Sequence, residues 1–374
     1  MGMMRGFFWC LFISTGVANI SFAQPVTGGW LFNWSDEFNG PTVDTAVWGY
    51  EIGYLRNNEL QYYSNRPENS RIDNGGLLIQ GLRDNWNGHL YTSASRTTRG
   101  RKSFQYGRFE MRAQIDIRLG SWPAWWWLPN TGGWPRGGEI DMMEFYRDMA
   151  LFNVMDGNQV WSYPSVLVSS LGGARWAAEF HTWTMEWDST KIDLSLDGVL
   201  MNHYLLTSAD GTGPNGTNPF KHPGYFILNQ ALGGTQGGDP SGTTFPVNFR
   251  VDWIRVHTWS NSAAYTLTVN GGTGDGPYVP GNMASITAYM PVVGQVFDRW
   301  VVNAGGATVD FPTAAAASLV MPAGNVTVTA TYRSTTKIQP IRSIHRTSVG
   351  AYFKFDARGK LLPPESNSIL YFKN

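Results

Sequence analysis

Within GGEIDMMEFY, Gly137 to Tyr146, three acids fall inside six residues of an otherwise apolar run: Glu139, Asp141 and Glu144. Two carboxyls about 5–5.5 Å apart suit glycosyl transfer with retained configuration, one as nucleophile and the other as acid and then base. A strand turns successive side chains to opposite faces, so Glu139 and Asp141 share a face while regular alternation sends Glu144 to the other. One extra residue at Met142 or Met143, a β-bulge, returns Glu144 to its neighbours' face and turns the row into a cluster. On spacing alone an acidic strand facing solvent is an equal alternative.

The elements around this stretch read as β-structure. From Trp30 to about Trp259, short runs of period-two alternation are separated by Gly, Asn and Pro clusters, with no sustained helical periodicity. Examples are GLLIQGL (76–82), GRFEMRAQI (107–115), TWTMEW (182–187), KIDLSLDG (191–198), YFILNQAL (225–232) and FRVDWIRVH (249–257). The fold class expected is an all-β sandwich with a small second β domain. WPAWWWLP (122–129) carries too many rings for a one-faced strand, so some of them reach a cleft. Composition breaks at Ser260-Asn261-Ser262. Beyond it TLTVNGG, GNMASITAYM and NVTVTATY read as strands, FDRW (297–300) supplies an aromatic anchor, and no acids pair for chemistry. The boundaries expected are 1–23, 28–259, 264–333 and a tail of unassigned role, 337–374.

Composition narrows the function classes. The 374 residues carry 28 Lys+Arg against 28 Asp+Glu, only 15% charged residues, 14% aromatics, 17 Trp and 43 Gly. No basic block or excess is present, which argues against nucleic acid as a partner. The first residues combine Arg5, an apolar stretch from Phe7, and Ser21-Phe22-Ala23 before Gln24. That pattern predicts a secretory signal peptide cleaved after Ala23, too short in its apolar run for a membrane span. Cys10 lies within it, so the mature chain lacks cysteine and relies on a large core in place of disulfides. Six scattered His and no mature Cys suggest no redox metal.

Eight landmarks then occur in one order: SDEFNG (35–40), NNELQYYSNRPEN (57–69), YGRFEMRA (106–113), GSWPAWWWLP (120–129), GWPRGGEIDMMEF (133–145), EFHTWTMEW (179–187), LNQALGG (228–234) and VDWIRVH (251–257). From about Trp34 to Val256 the chain resembles glycoside hydrolase family 16, close to its laminarinase-type members. The resemblance implies a concanavalin-like β-jelly-roll sandwich with an open cleft on its concave face. It also implies retaining endo-hydrolysis of a β-linked polysaccharide: β-1,3-glucan of the laminarin type, or mixed-linkage β-1,3-1,4-glucan. Glu139 falls on the nucleophile, Glu144 on the acid/base and Asp141 on the assisting acid.

For substrate binding the resemblance points to Trp126 and Trp134 in the cleft with Trp122 as a third ring, to Asn58 as a sugar-binding amide and to His181 as a donor near the nucleophile. Gln230, after Asn229, is placed toward the concave side by alternation, and Trp125 and Trp127 are assigned to the core. No cofactor is expected for catalysis; a structural calcium is expected on the convex face at Glu37, Gly75 and Asp252, oxygen ligands suiting that ion. Two departures stand out. YTSASRTTRG has Ser95 where many members read Arg, with Arg96 one place later, and RDMALFNVMDGNQVWS lacks a common His-rich pattern. The segment from Tyr265 resembles a bacterial internalin-type B-repeat, a spacer or adhesion unit. The expectation is a monomeric, secreted or cell-surface bacterial β-glucanase. Two alternatives stay open: the same chemistry on a marine galactan such as agar, porphyran or carrageenan, with Arg96, Arg99, Arg101 and Lys102 suiting sulfate, or a non-catalytic glucan-binding protein.

Overall fold

The structure, a computed structural model, describes residues 26–292 and 294–335, so the expected signal peptide and the tail from 337 lie outside the described residues. Two large sheets face each other. The first runs Trp161–Ser162, Met149–Met155, Glu139–Tyr146, Ser121–Pro129, Gly224–Leu232, Ser95–Thr97, Gly49–Glu51, every neighbouring pair antiparallel. The second contains Val26–Asp36, Val247–Asn270, Gly107–Ile115, His181–Trp187, Lys191–Leu196 and Val199–Leu205. This is the all-β jelly-roll sandwich that the alternation and the resemblance lead one to expect. In Lys191–Leu196, for example, Ile192, Leu194 and Leu196 are buried while Lys191, Asp193 and Ser195 are partly exposed. Antiparallel pairing lets each sheet bury one face and wet the other. Between the sheets lie Trp125, Trp127, Phe226 and Leu228 from the first and Phe109, Met111, Trp183, Met185 and Val251 from the second.

The composition break at 260–262 marks a change of core rather than a linker. A single strand, Val247–Asn270, passes through it. Its first part pairs with Gly107–Ile115, and its end pairs with Gly276–Tyr278 and Val326–Ser334. The small module has its own core of Leu267, Tyr278, Ile286, Trp300, Leu319 and Val328, which also takes in Trp30 from the sandwich strand Val26–Asp36. Trp300, the anchor of FDRW, is buried there. Across the junction, buried Arg108 donates from Nη1 to the Asp275 carbonyl oxygen at 3.2 Å and to the Tyr278 hydroxyl at 3.4 Å. Its Nη2 donates to Glu110 at 2.9 Å. Among the described residues no helix is long and apolar enough to cross a membrane.

Ending the chain at Ser260 would strip Trp30 of its cover and remove the Arg108 hydrogen bonds to Asp275 and Tyr278, a cost of about 0.5–1.5 kcal/mol for each bond lost. The expected result is a melting midpoint lowered by roughly 4 °C or more; an unchanged midpoint by calorimetry would show the junction to be energetically idle.

Candidate active site

The strand Glu139–Tyr146 is irregular where the acids require it to be. Against Met149–Met155 the pairs are Glu139↔Met155, Ile140↔Val154, Asp141↔Asn153 and then Glu144↔Leu151. Met142 and Met143 thus stand opposite the single residue Phe152, which is the expected bulge. The other neighbour shows the same slip, with Asp141↔Trp126 followed by Met143↔Trp125 and Glu144↔Ala124. Both methionines are fully buried in the sandwich core. Glu144 therefore returns to the face of Glu139 and Asp141. Gly138, with φ +72°, leads the chain into this strand; a Cβ there would lie 3.0 Å from the Met155 carbonyl oxygen and from the Phe220 ring.

Each acid has a fixed partner. Trp134 Nε1 donates to Glu139 Oε2 at 2.7 Å, and Trp122 Nε1 donates to Glu144 Oε1 at 2.8 Å. Asn153 Nδ2 donates both to Asp141 Oδ2 at 3.0 Å and to Glu144 Oε2 at 2.8 Å, tying the last two acids together. Burial pushes the Asp141 carboxyl well above the ordinary range, and the charges of Glu139 and Glu144 push it further. Its proton is directed to Glu139: that hydrogen bond, the Trp134 indole and the Arg56 charge oppose the burial that raises Glu139. Glu144 is pushed up to about 7, mainly by burial and then by the charge of Glu139, against the hydrogen bonds from Trp122 and Asn153. Near neutrality the cluster can present an ionised Glu139 beside a Glu144 that holds a proton.

The expected binding residues separate into two groups. Trp122 and Trp126 share the acids' face, with Trp126 only 8% exposed because the Arg56 guanidinium sits 4.8 Å above its ring. Trp134 is 59% exposed and leaves an open ring face beside Glu139. Asn58 is exposed in the loop after Arg56, at φ 50°. Trp125 and Trp127 are fully buried in the core.

Two placements are corrected. His181 belongs to the second sheet, pairs with core residue Ala113 and stacks on Trp176 with ring centroids 4.0 Å apart. Its Nδ1 lies 2.7 Å from Asp197 Oδ2 and its Nε2 lies 2.9 Å from the Trp176 carbonyl oxygen, so it is a satisfied interior histidine away from the acids. Gln230 is fully buried, bonded to Ser121 Oγ and the Ala231 carbonyl oxygen. Its phase is off by one: Ile227 pairs with Trp126, so Asn229 takes the concave side, accepting from Trp126 Nε1 at 2.8 Å and donating to the Tyr63 hydroxyl at 3.0 Å.

Asn229, Arg56 and Asn153 were not singled out by the sequence. Asn153 had a signal, as the lone polar residue in the apolar run LFNVM. Arg56 immediately precedes the Asn-Asn landmark but carries no periodic signature.

The residues expected to hold calcium do not fit that ion as they are paired. Arg255 holds both oxygens of Glu37 at 2.9 Å, and Arg112 holds Asp252. Each carboxylate is already neutralised by a guanidinium; Gly75 sits in the turn between Ser70–Asp73 and Gly76–Gly81. Among the described residues no group of three or more His, Cys, Asp or Glu could hold a metal.

Residues 57–255, more than half of the chain, match the model of glycosyl hydrolases family 16. The chain belongs to that family. Residues 265–336 match the divergent InlB B-repeat domain. Among family 16 relatives, a β-glucanase of Rhodothermus marinus is 36% identical over 62% of this chain and 86% of its own length. A glucan endo-1,3-β-glucosidase A1 of Niallia circulans is 32% identical over 63% of this chain, which spans 39% of that longer protein. The solved laminarinase of Rhodothermus marinus superposes with a TM-score of 0.56 at 34% identity, covering 62% of this chain and 99% of that one.

The raised Glu144 sets a sign for stability. Its folded-state carboxyl titrates near 7 against an ordinary value of 4.5, so the stability present below about 4.5 is lost as pH climbs through 7. Glu144→Gln removes that titration. Its melting midpoint, measured against wild type, should gain between pH 5 and pH 8; a difference independent of pH would contradict the raised value.

Proposed function

We propose that the chain is a retaining endo-hydrolase of β-1,3-glucan and mixed-linkage β-1,3-1,4-glucan. The observation that carries this reading is the bulge, which sets Glu139 and Glu144 on one face, each held by an indole N–H. Relatives whose names state glucan hydrolysis support the substrate class, including the non-specific endo-β-1,3(4)-glucanase SCLam, 29% identical with a TM-score of 0.54 over 64% of this chain and 97% of that one.

In the first step the Glu139 carboxylate attacks the anomeric carbon while the Glu144 proton passes to the departing glycosidic oxygen, leaving a glycosyl ester on Glu139. In the second step the Glu144 carboxylate takes a proton from water, the water oxygen attacks the same carbon, and Glu139 leaves as carboxylate. Two inversions give retention. Asp141, protonated by its burial, donates to Glu139 and steadies its charge until attack. The open ring of Trp134 offers a platform to the C–H face of a sugar next to the nucleophile. The N-terminal sequence supports export of the enzyme.

The galactan alternative gains little from the basic residues once invoked for it. Arg96 is buried against Tyr50 and Ser70, Arg101 Nε donates to the Thr45 carbonyl oxygen, and Lys102 lies over Trp34. Arg99 alone of the four approaches the concave cluster, over Tyr225.

Glu139→Gln and Glu144→Gln should each lower the rate on laminarin by about a hundredfold or more without unfolding. Proton NMR of the first new reducing ends should show the β-anomer. Release of the α-anomer, or no release from laminarin and mixed-linkage glucan alongside release from agarose or carrageenan, would overturn the reading. Trp134→Phe deletes one donor to Glu139, so the acidic limb of the kcat/KM profile should move to higher pH; an unmoved limb would remove Trp134 from the electrostatics of the site.

A further inference from the structure

We propose that the groove where the small module meets the sandwich is a second, non-catalytic binding site for a neutral polysaccharide chain. The groove encloses about 870 Å³, within the range of ligand sites. It draws Trp30, Tyr106, Glu186 and Trp259 from the sandwich side and Asp275 to Pro277 from the module. Its sandwich strands, His181–Trp187 and Val247–Asn270, belong to the sheet opposite the acids, so it is no extension of the cleft.

A rigid, open aromatic face is the first feature a sugar needs. Trp259 is 48% exposed, comparable with Trp134 beside the nucleophile at 59%. Trp30 meets it edge-on, with centroids 5.1 Å apart and planes at 86°. Gly28 backs it so closely that a Cβ there would lie 2.7 Å from the indole. The exposed ring is therefore held in place before any ligand arrives, which reduces the ordering cost of binding. Tyr106 adds a second ring, itself braced edge-on against Trp187 at 5.3 Å.

Polar groups complete the match and select its charge. Glu186 approaches Arg108 only to 3.8 Å and leaves acceptor capacity facing the groove, while the exposed Gln105 side chain makes no hydrogen bond among the described residues. Carboxylates and a free amide suit the hydroxyl donors of a sugar. Asp188 and Asp275 add negative charge against one lysine, Lys191, which is itself paired with Asp193. Such a lining repels sulfated or uronic chains and tolerates neutral ones. The module supplies one wall of the groove, Asp275 to Pro277, which in this proposal gives it a part in holding polysaccharide while the cleft cuts it.

That the neutral chain is a β-glucan rests on the substrate proposed above; the site itself does not. Calorimetric titration of Glu144→Gln with laminarihexaose should reveal two sites, and adding Trp259→Ala should abolish one or weaken it about tenfold or more. Trp259→Ala in the active enzyme should keep kcat/KM on the same hexaose within about twofold, since stacking lost at a remote site leaves transition-state contacts intact. A single site in Glu144→Gln for both laminarihexaose and a neutral agarose hexaose, or two sites untouched by Trp259→Ala, would overturn the proposal. So would equally tight Trp259-dependent binding of a carrageenan hexaose. Should Trp259→Ala fail to fold, Gln105→Ala decides the matter, by weakening the second site about threefold or by leaving it unchanged. Failure of the glucanase reading would appear separately, as wild type that releases no ends from any glucan.

Discussion

A β-strand shows one face at every second residue, and Glu139 and Glu144 are five residues apart. The chemistry of this chain depends on breaking that parity once. Met142 and Met143 do so by both turning into the sandwich core, where their unbranched side chains fill adjacent space without a polar group to satisfy. The cost of the irregularity is one unpaired position in the ladder. It is met by a strand flanked on both sides, with Trp125 to Trp127 on one neighbour and Leu151 to Met155 on the other. A bulge in an edge strand would have less to hold it.

Once the carboxyls share a face, burial becomes the dominant force on them. Three acids removed from water together favour their neutral forms, and the surrounding donors decide which one ionises first. Glu139 receives an indole N–H, a hydrogen bond from the protonated Asp141 carboxyl and the field of Arg56; Glu144 receives an indole N–H and half of an Asn153 amide while facing the Glu139 charge. Like acids with unlike neighbours thus acquire a different hold on a proton. Trp122 and Trp134 serve this division directly, because their polar edges point at the carboxylates; the broad ring of Trp134 remains exposed.

Much of this was legible in the sequence. Alternation gave the strands of the sandwich, and the acid spacing implied the bulge, since nothing else in a strand could reunite the three carboxyls. The eight landmarks pointed to Trp122, Trp126 and Trp134, which the structure sets beside the acids. Two things were not legible. Strand phase is a one-residue question, and in a run such as LNQAL, polar at both Asn229 and Gln230, the pattern leaves it undecided; the pairing Ile227↔Trp126 is what decides it. Partnership is equally silent. Glu37 and Asp252 look like oxygen ligands until the strand pairing brings Arg255 and Arg112 to them, and His181 looks available until Trp176 and Asp197 close over it. The module boundary shows the same limit: composition marks where the core changes, while the continuity of Val247–Asn270 depends on pairing partners far along the chain.

The central claim is that the bulge lets Glu139 and Glu144 act in turn on one anomeric carbon, and azide trapping tests it most directly. In Glu139→Ala, azide entering the vacated space would attack from the nucleophile's side and yield the α-glycosyl azide. In Glu144→Ala with an aryl β-laminaribioside, the ester on Glu139 would still form, and azide would displace it to yield the β-glycosyl azide. Opposite anomers from the two variants, assigned by NMR, are the predicted result. The same anomer from both, or the two reversed, would contradict the placement of Glu144 opposite Glu139 across the scissile bond.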